Sequence, residues 1–288
     1  MKKEIIYVLI TAVLFVTLEP VSKLIANDVN PYAITFWRFI IGSIVLLPLA
    51  VTKIKKEKIS IKLKDFAIMT LLGILFICIS MISLQVGVKK ADAPSIIAII
   101  FSSNSVFTIL FAMLILKEKP NKNKIIALIL GVIGVITCAD LSQATNIESI
   151  LYGVFAALTF SLYTVLSQKF TKRFGGIIQT TVAFLMGSII LLICLLLLKI
   201  DIRFSCSVNT LSILIYLGIF VTGVGYGCYF KAIEKGGAIM ASLAFFVKPI
   251  LTPFVTLFVN GVVPDVKVFI SVLCVVAASY FATYKKIN

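Results

Sequence analysis

Long apolar runs separated by short polar segments recur along the whole chain, at 5–26, 32–51, 66–88, 95–116, 123–139, 150–168, 177–198, 210–230, 238–259 and 266–284. A helix that crosses a bilayer needs about 20 mostly apolar residues, and it must satisfy its backbone hydrogen bonds within itself. The pattern therefore predicts an all-α membrane protein of ten transmembrane helices joined by short loops. The first run follows Met1-Lys2-Lys3-Glu4 like a signal peptide, but it continues past Glu19-Pro20 to Ala26 with no A-x-A site after it. We read it as an uncleaved first span. Hydrophobic residues make up 60% of the chain and charged ones 14%, against about 45–50% and 25% in soluble domains. That excludes an ordinary cytosolic enzyme, a secreted disulfide scaffold and a disordered chain.

Charge adds an orientation. The net charge of +15 would suggest nucleic acid in a soluble protein, but here the basic residues gather in alternate loops. With the N-terminus inside, the inner segments hold 19 of the 27 Lys and Arg, the outer connections 5, and the spans Lys23, Arg38 and Lys248. This asymmetry predicts a multi-pass protein of the cytoplasmic membrane with both termini cytoplasmic and no nucleic-acid partner. The lysine-rich stretch Lys53–Lys64 suits contact with anionic lipid headgroups. There is no histidine, and the six cysteines form no CxxC pair, so neither a metal site nor a cofactor is indicated.

The two halves repeat each other. Residues 39–47, FIIGSIVLL, align with 184–192, FLMGSIILL, at an offset of 145. The same offset pairs Phe15 with Phe160, Ser22 with Ser167, and Leu72-Gly73-Ile74 with Leu217-Gly218-Ile219. In the fourth span it becomes 144, pairing Thr108 with Thr252 and Pro120 with Pro264. Five spans per half is an odd number, so the second half enters the membrane upside down. The expected organisation is two inverted five-helix repeats, 1–144 and 145–288, a plan that recurs in secondary transporters.

The chain resembles the drug/metabolite transporter superfamily, in its ten-helix group built from two EamA-type repeats. The resemblance is carried by Lys23-Leu24 ending span one and by Trp37-Arg38-Phe39 followed by LLPLA in span two. It is carried further by Ser105-Val106-Phe107-Thr108 leading to Lys117-Glu118-Lys119, and by Lys248-Pro249-Ile250-Leu251-Thr252-Pro253. It spans nearly the whole chain and implies transport of a small molecule. Three features depart from the family pattern: Ser105 stands where the second half has Pro249, Asn260-Gly261-Val262 lacks the acidic residue that Glu118 supplies, and Glu19 is not a general family feature.

A charge at the bilayer centre costs about 2.5–3.5 kcal/mol on insertion scales, so the buried charges mark the candidate site. Glu19 and Arg38 fall at similar depth on neighbouring antiparallel spans, and Glu19 and Lys23 are spaced i, i+4. A Glu19–Arg38 or a Glu19–Lys23 pair fits this spacing, either as a lock on the first hairpin or as an ion-coupling carboxylate beside an anion ligand. Pro20 frees a backbone carbonyl and suits a broken helix. Lys248 is ten residues into its span, near the midplane, and its repeat counterpart is Asn104. These two can line a cavity between the halves, or Lys248 can pair internally with Glu19 or a carbonyl. A midplane cation suggests a substrate with a carboxylate or other anionic group. Tyr163, Tyr226, Tyr229, Phe245 and Phe246 are candidate apolar walls, and Trp37 reads as an interfacial anchor. Thr222-Gly223-Val224-Gly225-Tyr226-Gly227 lies inside a continuous span and reads as small-residue packing, not a phosphate loop or ion filter.

The expected function is a secondary active transporter that moves a small metabolite such as an amino acid or carboxylate by alternating access, with export the favoured direction. Coupling to protons or another ion is compatible; a monomer suffices, and a dimer is also compatible. The alternatives are a passive channel or facilitator, a lipid flippase or membrane partner protein, and a membrane enzyme, for which no catalytic constellation is visible.

Overall fold

A computed structural model describes residues 3–117, 146–204, 207–242, 244–264 and 266–283, with isolated positions between 122 and 133. The expected fifth span, 123–139, lies outside the described residues apart from those positions, as do Glu118, Lys119 and Pro120. Among the described residues the chain is helical, with no strand. Among the described residues, seven helical stretches are long and apolar enough to cross a membrane: Ile5–Lys23, Pro31–Glu57, Leu63–Lys90, Pro94–Ile115, Ile147–Phe174, Gly176–Leu197 and Val208–Ser242.

Several spans are interrupted where local chemistry dictates. The first consists of α1 (Lys3–Val16) and α2 (Leu18–Lys23), which meet at Thr17. Pro20 has no N–H to offer the Val16 carbonyl, so the helical ladder stops there. The second span, α3 (Pro31–Glu57), begins where the Asn30 side chain accepts the Tyr32 N–H at 3.0 Å, with Pro31 at the first helical position. The third runs from α4 (Leu63–Gly73) through a π-helical segment, π1 (Ile74–Met81), into α5 (Ile82–Lys90). The fourth breaks at Ser103 between α6 (Pro94–Ser102) and α7 (Asn104–Ile115).

The second half follows the same plan. It consists of α8 (Ile147–Phe174), α9 (Gly176–Leu197) and α10 (Val208–Tyr216), then a second π segment, π2 (Leu217–Gly225), and α11 (Tyr226–Ser242). Gly237, at φ 84°, breaks the long stretch before residues 238–242, and α12 (Ala244–Asn260) and α13 (Val266–Thr283) follow. The pattern of hydrophobic residues does not reveal either π segment. Both begin within the repeated Leu-Gly-Ile triplets, so the distortion is itself duplicated.

Packing follows the repeat. α3 lies against α9; α4 lies against α9 as π2 lies against α3; α5 and π1 lie against α8 as α11 lies against α1; and α6 lies against α12. Residues 145 apart meet in the middle. The rings of Phe39 and Phe184 are 4.8 Å apart and perpendicular, and the Tyr226 hydroxyl donates to Met81 Sδ at 3.3 Å. Two sets of equivalent glycines make the close crossings. A Cβ on Gly73 would lie 2.2 Å from the Ala183 carbonyl oxygen, and one on Gly187 would lie 2.7 Å from the Gly73 carbonyl oxygen. In the other half a Cβ on Gly42 would meet Thr222 Cγ2 at 2.7 Å.

Backbone cannot yield as a threonine methyl can. Gly73→Ala should therefore cost near the top of the ~1–3 kcal/mol range for overpacking, and Gly42→Ala distinctly less. Thermal unfolding in detergent checks the order.

Candidate functional site

Glu19, Arg38, Asn104, Lys248, Tyr163 and Tyr226 are all fully buried. The break at Thr17 turns α2 so that Glu19 points inward, and its Oε1 accepts from Lys248 Nζ at 2.5 Å across 229 residues of sequence. Of the pairings the spacing allowed, this is the one formed. Neither expected partner of Glu19 on the first hairpin bonds to it: Lys23 turns away, and Arg38 is near without a hydrogen bond.

Arg38 lies within electrostatic reach of Glu19 and Tyr226, and Lys248 within reach of Arg38. Yet none of the three guanidinium nitrogens makes a well-formed hydrogen bond, and Glu19 Oε2 is likewise unpartnered among the described residues. The Phe39 ring lies 4.4 Å from the guanidinium carbon. The cluster thus holds two cations against one carboxylate in an interior shut off from solvent. A buried charge whose hydrogen-bonding capacity is not filled is expensive.

Asn104 opens α7 just past the Ser103 break. Its Nδ2 donates to the Phe101 carbonyl at 2.6 Å, and its own Oδ1 is buried without a partner. The Phe101 ring lies 5.0 Å from Lys248 Nζ, and the Phe245 ring lies 5.8 Å away, giving the ammonium two aromatic neighbours. Tyr226 is packed among Phe15, Phe39, Phe76 and Phe184. Tyr163 is one ring further out: it stacks on Phe76 at 4.5 Å and its hydroxyl accepts from Gln179 at 3.2 Å, with no bond to the charges. Tyr229 and Phe245 belong to the same aromatic mass, and the Phe246 side chain lies outside the described positions. Trp37 donates to the Ile202 carbonyl at 2.9 Å and so ties α3 to the loop before α10.

Contacts near the two ends of the spans were not foreseen from the sequence. At one end Lys23 Nζ donates to the carbonyls of Val88, Lys89 and Ala91 at 3.2, 2.9 and 2.6 Å, joining α2 to the end of α5. Gln168 is the residue 145 positions on from Lys23, and its Oε1 accepts the Ala238 N–H at 2.7 Å, just past the Gly237 break. Beside it Glu234 accepts the Gly176 N–H at 2.6 Å and pairs with Lys53 at 3.3 Å. The register of the repeat was the signal that could have found Gln168 from Lys23.

The EamA-like transporter family model matches this chain twice, over residues 2–139 and 147–284. A Clostridium kluyveri protein named as an uncharacterized transporter is 35% identical over the whole of this chain and 96% of its own length. The S-adenosylmethionine uptake transporter of Rickettsia bellii is 29% identical over 54% of this chain and 52% of its own length. A solved crystal structure, 16% identical, superposes with a TM-score of 0.73 over 98% of this chain and 97% of that one, a likeness of fold alone. The chain belongs to the EamA-like transporter family, within the drug/metabolite transporter superfamily. It is a multi-pass membrane protein of the transporter class, and a small-molecule substrate goes with that membership.

Proposed function

We propose that the chain is a ten-span secondary transporter, built as two inverted five-helix repeats (1–144 and 145–288) with both termini cytoplasmic. It moves a small amino acid or carboxylate by alternating access, with export as its net direction. The observation that carries this reading is the buried Arg38 guanidinium, which has Tyr226 and Glu19 within electrostatic reach but no well-formed hydrogen bond, beside the Glu19–Lys248 pair. A substrate carboxylate placed on Arg38 cancels the surplus positive charge and supplies the missing acceptors in a bidentate geometry. Glu19 Oε2 and Asn104 Oδ1, both free acceptors, then suit a substrate ammonium. Tyr226 contributes to the walls, and Tyr163 backs them through Phe76. That relatives are named for S-adenosylmethionine uptake supports a substrate bearing an amino-acid group, because the methionine part of that molecule carries one.

In this reading the two closures alternate. The Lys23 contacts seal the outer side and the Gln168 and Glu234 contacts the inner side, and with both in place the site is occluded. Lys23→Ala should speed amide exchange at the end of α5, and Gln168→Ala should do so around residue 238, each about tenfold or more. That scale follows from losing bonds worth roughly 1–3 kcal/mol. Hydrogen-exchange mass spectrometry of the full chain reads this; equal effects at both ends for either variant would contradict separate closures.

The substrate is found by metabolite profiling of medium and cytosol from cells overproducing the wild type, Arg38→Gln or Lys248→Ala at matched membrane levels. A carboxylate-bearing metabolite redistributed by the wild type and by neither variant supports the site. Redistribution that survives both variants removes the cluster from transport.

A further inference from the structure

A second cluster of charge lies well away from the central site, where the start of α4 meets the last turns of α8. Lys62, Lys64, Lys169 and Arg173 line one cavity of about 330 Å³ with a single carboxylate, Asp65, among them. Asp65 is buried and accepts from Arg173 Nη1 at 3.0 Å. The Phe174 ring lies 4.6 Å from the same guanidinium. Arg173 is thus fixed from two sides and neutralised once, whereas the three lysines have no ion-pair partner among the described residues. The remaining lining, Ile68 and Phe170, is apolar.

We propose that this cavity binds a phosphate group, presented by an anionic phospholipid or by a free phosphate ester. Three lysines and a pre-oriented guanidinium around one pocket are a recognition set for phosphate: the guanidinium offers its fork and the ammoniums supply charge. A general preference for basic loops on the inner face explains lysines, but not their convergence on a shared cavity with a buried acid holding the arginine. The volume lies at the lower end of small-molecule sites, about 300–1,000 Å³, and exceeds what a bare ion needs. The apolar lining supplies a place for the glycerol or the start of an acyl chain. Because α4 belongs to the first half and α8 to the second, an occupant would bridge the two. The proposal does not depend on the identity of the transported substrate.

The test uses the purified full chain in a neutral detergent, with thermal unfolding followed as phosphatidylglycerol, phosphatidylcholine or glycerol 1-phosphate is added. Stabilisation by phosphatidylglycerol and not by phosphatidylcholine is expected, with the apparent affinity weakened at least tenfold in Lys64→Gln/Lys169→Gln. Lys199→Gln/Arg203→Gln removes the same charge elsewhere and should leave the affinity unchanged. Stabilisation by glycerol 1-phosphate as well identifies a free phosphate ester as the source; a response to the lipid alone identifies the headgroup. Equal response to the two lipids, no response to any phosphate, or equal weakening in both double variants would overturn the proposal. If the first double variant does not purify, a photoreactive phosphatidylglycerol on the wild type decides: adducts within 59–72 and 165–176 support the site, and adducts only elsewhere overturn it.

Discussion

Glu19→Gln should destabilise the protein far more than Lys248→Met, although each removes one half of the same ion pair. The reason is the third charge. Without Lys248, Glu19 still has the Arg38 guanidinium within electrostatic reach, and one buried anion faces one buried cation. Without the Glu19 charge, Arg38 and Lys248 face each other in a closed interior with nothing to balance them. Leaving a buried charge uncompensated costs about 3–5 kcal/mol. We expect a loss on that scale for Glu19→Gln and a much smaller one for Lys248→Met. In Glu19→Gln/Lys248→Met one cation remains unbalanced, so its stability should fall between those of the two single variants. Unfolding midpoints of the four proteins in one detergent give the order. Equal losses in the two single variants would mean that Arg38 is not coupled to the pair.

Arg38→Gln should act in the opposite sense on stability and binding. It removes the surplus cation and leaves the Glu19–Lys248 pair balanced, so stability should hold or rise, while transport of the substrate found by profiling should collapse. A charge-assisted bond to a carboxylate is worth up to about 3 kcal/mol, and two decades of affinity correspond to about 2.8 kcal/mol. Half-saturation should therefore rise about 100-fold in Arg38→Gln, with Arg38→Lys partly restoring function because an ammonium keeps the charge but loses the fork. A variant that unfolds without losing substrate affinity would make Arg38 a structural residue.

Much of this was legible from the chain, for reasons that differ by residue. Glu19, Arg38 and Lys248 stand out because the bilayer makes charge costly wherever it is not needed, so three letters in apolar runs carry the signal. Their pairing was left open between Glu19–Arg38, Glu19–Lys23 and Glu19–Lys248, and the structure forms the last. Spacing along one helix favours Glu19 with Lys23, but Pro20 and the break at Thr17 redirect Glu19 toward α12, and that contact spans 229 residues. Lys23 is instead held by three carbonyls at the end of α5, a contact to backbone that no residue type announces. Phe101 was passed over because an aromatic ring facing an ammonium is spelled like any core phenylalanine. The π segments were hidden for a related reason: one extra residue per turn leaves hydropathy unchanged, although the repeated Leu-Gly-Ile triplet marked both places. The duplication was readable because Gly42 with Gly187 and Gly73 with Gly218 keep their register, and packing shows why: a Cβ on any of the four would come within 2.7 Å of the facing helix.

The most direct test of the account is counterflow in proteoliposomes. Vesicles holding the purified protein are loaded with an unlabelled mixture of the standard amino acids and diluted into trace labelled mixture without a membrane potential. The account requires transient, saturable accumulation of label above equilibrium, present with the wild type and absent with Arg38→Gln. Label that only equilibrates, with no overshoot, would make the protein a passive facilitator, and an overshoot undiminished in Arg38→Gln would place the substrate somewhere other than the buried cluster.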